Sequence, residues 1–219
     1  MQTVVCLYLH GFLSSGNSFK AQWIKQSCQA WKDIDIMDFR TPNYTLRSPE
    51  SSVAAIEEAL QKLKADYPHS QIVLIGSSLG GFYAQYFAHR HKLPYVMINP
   101  ALHPQELFPE YLGEHFNPHS GETICINPHY LEALQKYDIV KPDHTLHSLL
   151  AVDLEDEVVN ITATIKKYQA KPDRHFLAAY PGGNHAFQHL EAFFSELTAF
   201  IKKLIQLKAS SDHIFIAKK

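Results

Sequence analysis

The 219-residue chain has little cysteine, little glycine and no surplus of either charge. Only three cysteines occur, Cys6, Cys28 and Cys125, an odd number with no C-x-x-C pair. A disulfide framework is thereby excluded and a structural zinc site disfavoured. The three thiols read as small buried hydrophobes in a reducing compartment. Twenty basic residues stand against twenty-two acidic ones, a formal charge of −2. No basic excess exists to neutralise phosphates, so general nucleic-acid binding is not expected. No apolar run approaches the ~18 residues of a membrane span. The early run Val4–Leu9 lacks a basic leader and a small-residue cleavage site, so it reads as a strand and the cytoplasm is the expected location. With nine glycines the chain has neither G-x-G-x-x-G nor the Lys-Ser/Thr that follows a P-loop glycine. H-E-x-x-H is missing as well, so no metal site is expected.

What is present is a strand-helix rhythm. Apolar or β-branched runs at Val4–Leu9, Ile34–Phe39, Ile72–Ile75, Tyr95–Ile98, Leu149–Leu154 and Phe176–Tyr180 predict six strands. Between them, helix-period segments run over Ser18–Trp31 (with Phe19 and Trp23 among its apolar positions), from Pro49 through Val53, Ile56, Leu60 and Leu63, over Leu79 to about His91, and over Glu157–Tyr168. A last helix carries Phe187, Leu190, Phe194, Leu197, Ile201, Leu204 and Ile205. Alternating units of this kind imply right-handed crossovers. The expected fold is α/β in three layers: a mostly parallel sheet of about six strands with helices on both faces. One domain over 1–219 is expected. The proline-bearing stretch 101–146 (Pro104, Pro109, Pro118, Pro128, Pro142) breaks the rhythm and reads as a small, lid-like insertion, with short helices at Pro104–Leu112 and His129–Tyr137.

Such sheets display their chemistry in the loops at the carboxyl ends of the strands. After the third strand stands Gly76-Ser77-Ser78-Leu79-Gly80, a G-x-S-x-G between strand and helix. Glycines two before and two after the serine let strand and helix approach while the turn presents the hydroxyl. Ser78 is therefore the candidate nucleophile, against a plain glycine-rich turn or phosphate cradle. Hydrolysis of an ester also needs backbone N–H groups aimed at the oxyanion. The amide after the serine, Leu79, and that of Phe12 in the loop His10-Gly11-Phe12-Leu13 are the candidates, with His10 holding that loop. After the last strand, His185 follows serine and acid in the chain order Ser, Asp, His. It is one of fourteen histidines, and most of the others read as surface or capping residues. The carboxylate that orients it is Asp156 in the turn after the fifth strand, with Asp153 as rival; Asp156 also reads as a helix cap. His185 and His189, four apart, make at most half a metal site. For the acyl pocket the candidates are Gly11 and Leu13, with Leu107 and Phe108 from the insertion beside Leu102, Tyr111 and Leu112.

Five segments together resemble the small bacterial serine esterases of the YqiA type, in the α/β-hydrolase superfamily: Tyr8–Ser15, Gly76–Phe82, Ile98–Ala101, Asp156–Val158 and Gly182–Phe187. The resemblance implies a reduced hydrolase sheet without two leading strands. It also implies hydrolysis of carboxylic esters, acyl thioesters among the candidates, with no cofactor and a small-molecule substrate. Ser78, Asp156 and His185 match that family's catalytic positions. A non-catalytic binding protein on the same fold and an acyl transferase using the same three residues are the alternatives.

Overall fold

In the computed structural model, residues 3–216 are described, with side chains described to residue 208. Strands β1 (Val4–Leu9), β2 (Ile36–Arg40), β3 (Gln71–Ser77), β4 (Tyr95–Ile98), β7 (Ser148–Asp153) and β8 (His175–Tyr180) form one parallel sheet in the order β2-β1-β3-β4-β7-β8. Helices α1 (Phe19–Gln29), α2 (Pro49–Asp66), α3 (Leu79–His91), α6 (Ile161–Tyr168) and α7 (Leu190–Ile216) supply the crossovers and cover. The chain fills one side of β1 with β2, then crosses to β3 on the other side. The loops after β1 and β3 therefore lie side by side at the point where strand order reverses, where α/β sheets place their ligands.

Why the strands read as unbroken apolar runs is visible in the layers. Along β1, Val4, Cys6 and Tyr8 pack on one face with Ala21, Ile24 and Cys28 of α1 and Phe193, Leu197 and Ile201 of α7. Val5, Leu7 and Leu9 pack on the other with Ile56 and Leu60 of α2 and Phe82 and Phe87 of α3. Both faces of the pleat are covered, so polar alternation has no place. Helix α2 opens on Ser48, which accepts from the Ser51 amide while the Ser51 hydroxyl accepts from the Ser48 amide. Pro49 occupies the first turn, where no N–H is missed.

Several expectations shift. Cys125 is exposed, unlike Cys6 and Cys28. The buried face of α1 is Ala21, Ile24 and Cys28, while Phe19 is 77% exposed. Helix α6 starts at Ile161 rather than near Glu157, because the Asp156 carboxylate takes the Val158 and Val159 amides into a turn and Asn160 caps the helix. Helix α7 starts at Leu190 rather than Phe187. The amides of Ala186, Phe187 and Gln188 go instead to Asn184 and Asp153, and Phe187 sits at φ 64°.

Between β4 and β7 the chain leaves the sheet. It forms α4 (Pro104–Leu107), a 3-10 turn (Phe108–Tyr111), an antiparallel hairpin of β5 (Gly113–Phe116) and β6 (Thr123–Ile126), and α5 (Pro128–Gln135). The hairpin was not expected from sequence. It is tied back by Asn117, buried, whose amide donates to the Ser14 carbonyl at 3.2 Å. Among the described residues, no helix is long and apolar enough to cross a membrane.

Candidate active site

Ser78 occupies the junction of β3 and α3 at φ 55°, ψ −123°, a conformation that non-glycine residues rarely hold. The surroundings enforce it. Its N–H donates to the Ile98 carbonyl at 3.0 Å, and its own carbonyl accepts from Gly81 at 2.9 Å and Ala101 at 3.1 Å. The two glycines of G-x-S-x-G are there for lack of room. A Cβ on Gly76 would stand 2.1 Å from the Gly80 carbonyl oxygen, and one on Gly80 would stand 2.1 Å from that of Leu9.

The loop after β8 brings His185 across from the far edge of the sheet. Its Nε2 lies 2.9 Å from Ser78 Oγ, and its Nδ1 lies 2.8 Å from Asp156 Oδ2 and 3.1 Å from Oδ1. With the ring proton on Nδ1, His185 donates to Asp156 and Nε2 is left to accept from the serine hydroxyl. The Asp156 side chain is fully buried and also accepts from the amides of Val158 and Val159 at 2.8 and 3.0 Å. Burial works against its charge, yet the hydrogen bonds from His185 and from those two amides hold the carboxyl below its usual range.

The rival acid has a different partner. Asp153, also fully buried, accepts from His189 Nδ1 at 2.7 Å and from the amides of Gln188 at 2.7 Å and Asn184 at 3.2 Å. It shapes the loop that carries His185. Asn99, directly after β4 at φ 40°, completes that support. Its side chain accepts from the Asp153 amide and donates to the Asn184 carbonyl, both at 2.8 Å. The Glu157 carboxylate takes the His185 amide at 3.1 Å. His185 and His189 thus turn to separate carboxylates, and among the described residues no group of three or more His, Cys, Asp or Glu is placed to hold a metal ion. The supporting roles of Asn99 and Glu157 were not read from the sequence. The one available signal was Asn99-Pro100 closing a strand at the carboxyl edge.

Gly11 packs against the elbow, where a Cβ would stand 3.0 Å from Ser78 Cβ and 3.5 Å from its Oγ. It does not line the cavity beside the serine. The Phe12 and Leu79 amides flank that corner, and neither donates to a protein acceptor among the described residues. His10 is buried, stacks on Tyr44 at 4.1 Å and contacts the Gly11 carbonyl at 3.0 Å. Tyr44 donates to the His10 carbonyl, fixing the loop.

A cavity of about 190 Å³ opens onto Ser78 and His185, walled by Phe12, Leu13, Leu107, Phe108, Tyr111 and Val158. The Phe12 ring lies 5.2 Å from that of Phe108, so the insertion closes directly on the first loop. Leu102 is instead packed in the core and Leu112 is 53% exposed. A more polar cavity of about 280 Å³ adjoins through Ala101, Leu107 and Val158 and carries Glu106, Glu110 and Glu157.

The chain is similar to Est1E from Butyrivibrio proteoclasticus, with a TM-score of 0.76 and 18% identity over 94% of this chain and 89% of that one. It is also similar to XC6422 from Xanthomonas campestris, described as an α/β serine hydrolase without lid, with a TM-score of 0.65 and 13% identity over 92% and 82% of the two chains. At these identities the likeness establishes an α/β-hydrolase fold. In sequence, the chain is 33% identical over 102 residues to a UPF0227 protein of Shewanella woodyi (strain ATCC 51908 / MS32). That match covers 46% of this chain and 52% of the other, so it spans about half the length of the curated relative. The model of the uncharacterised protein family UPF0227 matches from within β1 to well inside α7, residues 5–202, and the chain belongs to that family.

Proposed function

We propose that this protein is a serine hydrolase of carboxylic esters, with acyl thioesters as the second substrate class, and that Ser78, His185 and Asp156 carry the reaction. The observation behind this is the continuous line from Ser78 Oγ through His185 to Asp156, with contacts of 2.9 and 2.8 Å. In the proposed cycle Ser78 Oγ attacks the ester carbonyl while His185 Nε2 takes its proton. Asp156 holds the Nδ1–H tautomer and stabilises the imidazolium. The amides of Phe12 and Leu79 receive the oxyanion. His185 then protonates the leaving alcohol or thiol, and water, deprotonated by the same imidazole, releases the acid.

The acyl group is assigned to the apolar cavity formed by Phe12, Leu13, Leu107, Phe108 and Tyr111. The segment 101–146 then serves as its wall in a one-domain protein, in the place of a lid. No metal or cofactor enters the cycle. The fold likeness to serine hydrolases and esterases, one of them described with ferulic acid bound, supports the reaction class. The free thiols of Cys6, Cys28 and Cys125 support a reducing, cytoplasmic location.

The test is a panel of esters and thioesters of increasing acyl length, run in chelator with wild-type protein and Ser78→Ala. Turnover that needs Ser78 and yields free acid is the expected result. Binding without turnover would assign a binding protein, and acyl products on an added alcohol without free acid would assign a transferase.

A further inference from the structure

Lys20 is badly placed by local rules. It is the second residue of α1, where the positive end of the helix dipole disfavours a cation. Its side chain is partly buried and runs inward rather than to solvent, so that Nζ donates to Ser77 Oγ at 2.8 Å. Ser77 is the residue before Ser78 and is itself buried. The Nζ also stands 5.9 Å over the ring of Phe187, two residues beyond His185. The charged or titratable groups that face it are Asp153 at the end of β7, Asp156 in the turn that follows, and, through Ser77, the Tyr8 hydroxyl on β1. The two carboxylates are the fully buried ones that shape the His185 loop and orient His185. A cation accepted against both desolvation and the helix dipole calls for a compensating role, and sites of function are where local rules are broken.

We propose, resting on the hydrolase function above, that Lys20 is a positioning residue: its ammonium pins Ser77 behind the nucleophile and balances Asp153 and Asp156, keeping elbow and His185 loop in register. Burial pushes the amine down to about 8, against the upward pull of Asp153 and then Asp156. Lys20 is therefore charged at neutral pH and loses its charge as pH rises through about 8. The Tyr8 phenol is pushed up by burial, so it stays neutral across that range.

The test compares wild type, Lys20→Arg and Lys20→Met for kcat against pH, and follows the Lys20 Cε signal by NMR. Wild-type kcat should fall above about pH 8, in step with the Lys20 signal. Lys20→Met should lose on the order of tenfold in kcat at pH 7 and show no such limb. Lys20→Arg should keep kcat at pH 7 and carry the plateau to higher pH. The Lys20 titration should move down in Asp156→Asn, where the facing negative charge is gone. An unchanged alkaline limb in Lys20→Arg, or full kcat in folded Lys20→Met, overturns the proposal. So does a Lys20 signal that ignores Asp156→Asn. Failure of the hydrolase function itself looks different: wild type would then show no Ser78-dependent turnover at any pH.

Discussion

Replacing Asp156 by asparagine separates the two jobs its carboxylate performs. One oxygen accepts from the amides of Val158 and Val159, and both oxygens contact His185 Nδ1. Asparagine keeps a carbonyl oxygen for the two amides, so the turn before α6 survives. Its NH₂ then faces His185 Nδ1 and donates to it. The ring answers by carrying its proton on Nε2, the nitrogen 2.9 Å from Ser78 Oγ, which can no longer accept from the hydroxyl. A wrong tautomer in a triad of this kind lowers kcat by about 10⁴, or roughly 5.5 kcal/mol of barrier. Asp156→Ala should add a stability loss of about 1 kcal/mol through the uncapped turn. The linkage sign agrees: the Asp156 pKa is lowered in the fold, so the carboxylate stabilises above its unfolded pKa and that contribution fades as pH falls. Asp153→Asn is the control. It disturbs a buried carboxylate with three donors and should lose on the order of 3 kcal/mol of stability with a smaller fall in kcat. The assay is p-nitrophenyl acetate hydrolysis with circular dichroism on each variant. Asp156→Asn within tenfold of wild type, or a deeper kcat loss in folded Asp153→Asn, would refute the assignment of the acid.

Leu107→Ala should change the ratio of long-chain to acetate ester turnover, since Leu107 lines the cavity and is only partly buried; an unchanged acyl-length profile would make it a packing residue. Burial pushes His175 down to about 4, aided by His144, so the unfolded chain binds the extra proton between about 6.5 and 4. Stability should drop by up to about 3 kcal/mol as pH falls through that window, and His175→Gln should flatten the urea-midpoint profile there. The amine of Lys20 titrates near 8 in the fold, below its unfolded value, so stability should rise with pH from about 8 towards 10, and Lys20→Met should remove that rise in the urea midpoint.

The sheet was legible because β1, β3, β4 and β7 are buried on both faces and must be written as apolar runs. G-x-S-x-G was legible because Gly76 and Gly80 answer a steric demand that no other residue meets. Element ends were less so. Helices α6 and α7 begin late because Asp156, Asp153 and Asn184 capture amides that a periodicity count assigns to the helix. The hairpin is short, with β5 largely exposed and β6 exposed on alternate residues, which leaves a weak apolar signal. Most of the site's support was hidden for a general reason: Asn99, Asp153 and Lys20 lie 54 and more residues apart in pairs, and only the fold makes them neighbours of His185 and Ser77. Asp153 did carry a signal, a carboxylate inside the run Leu149–Leu154, which burial obliges to find partners.

The central claim is that Ser78, held at its strained turn beside His185, is the nucleophile. A fluorophosphonate probe followed by peptide mass spectrometry tests it most directly. One adduct per chain, on Ser78 and not on Ser77, is predicted, and it should vanish in Ser78→Ala. An adduct on Ser77, or labelling that persists at full stoichiometry in Ser78→Ala, would contradict the account.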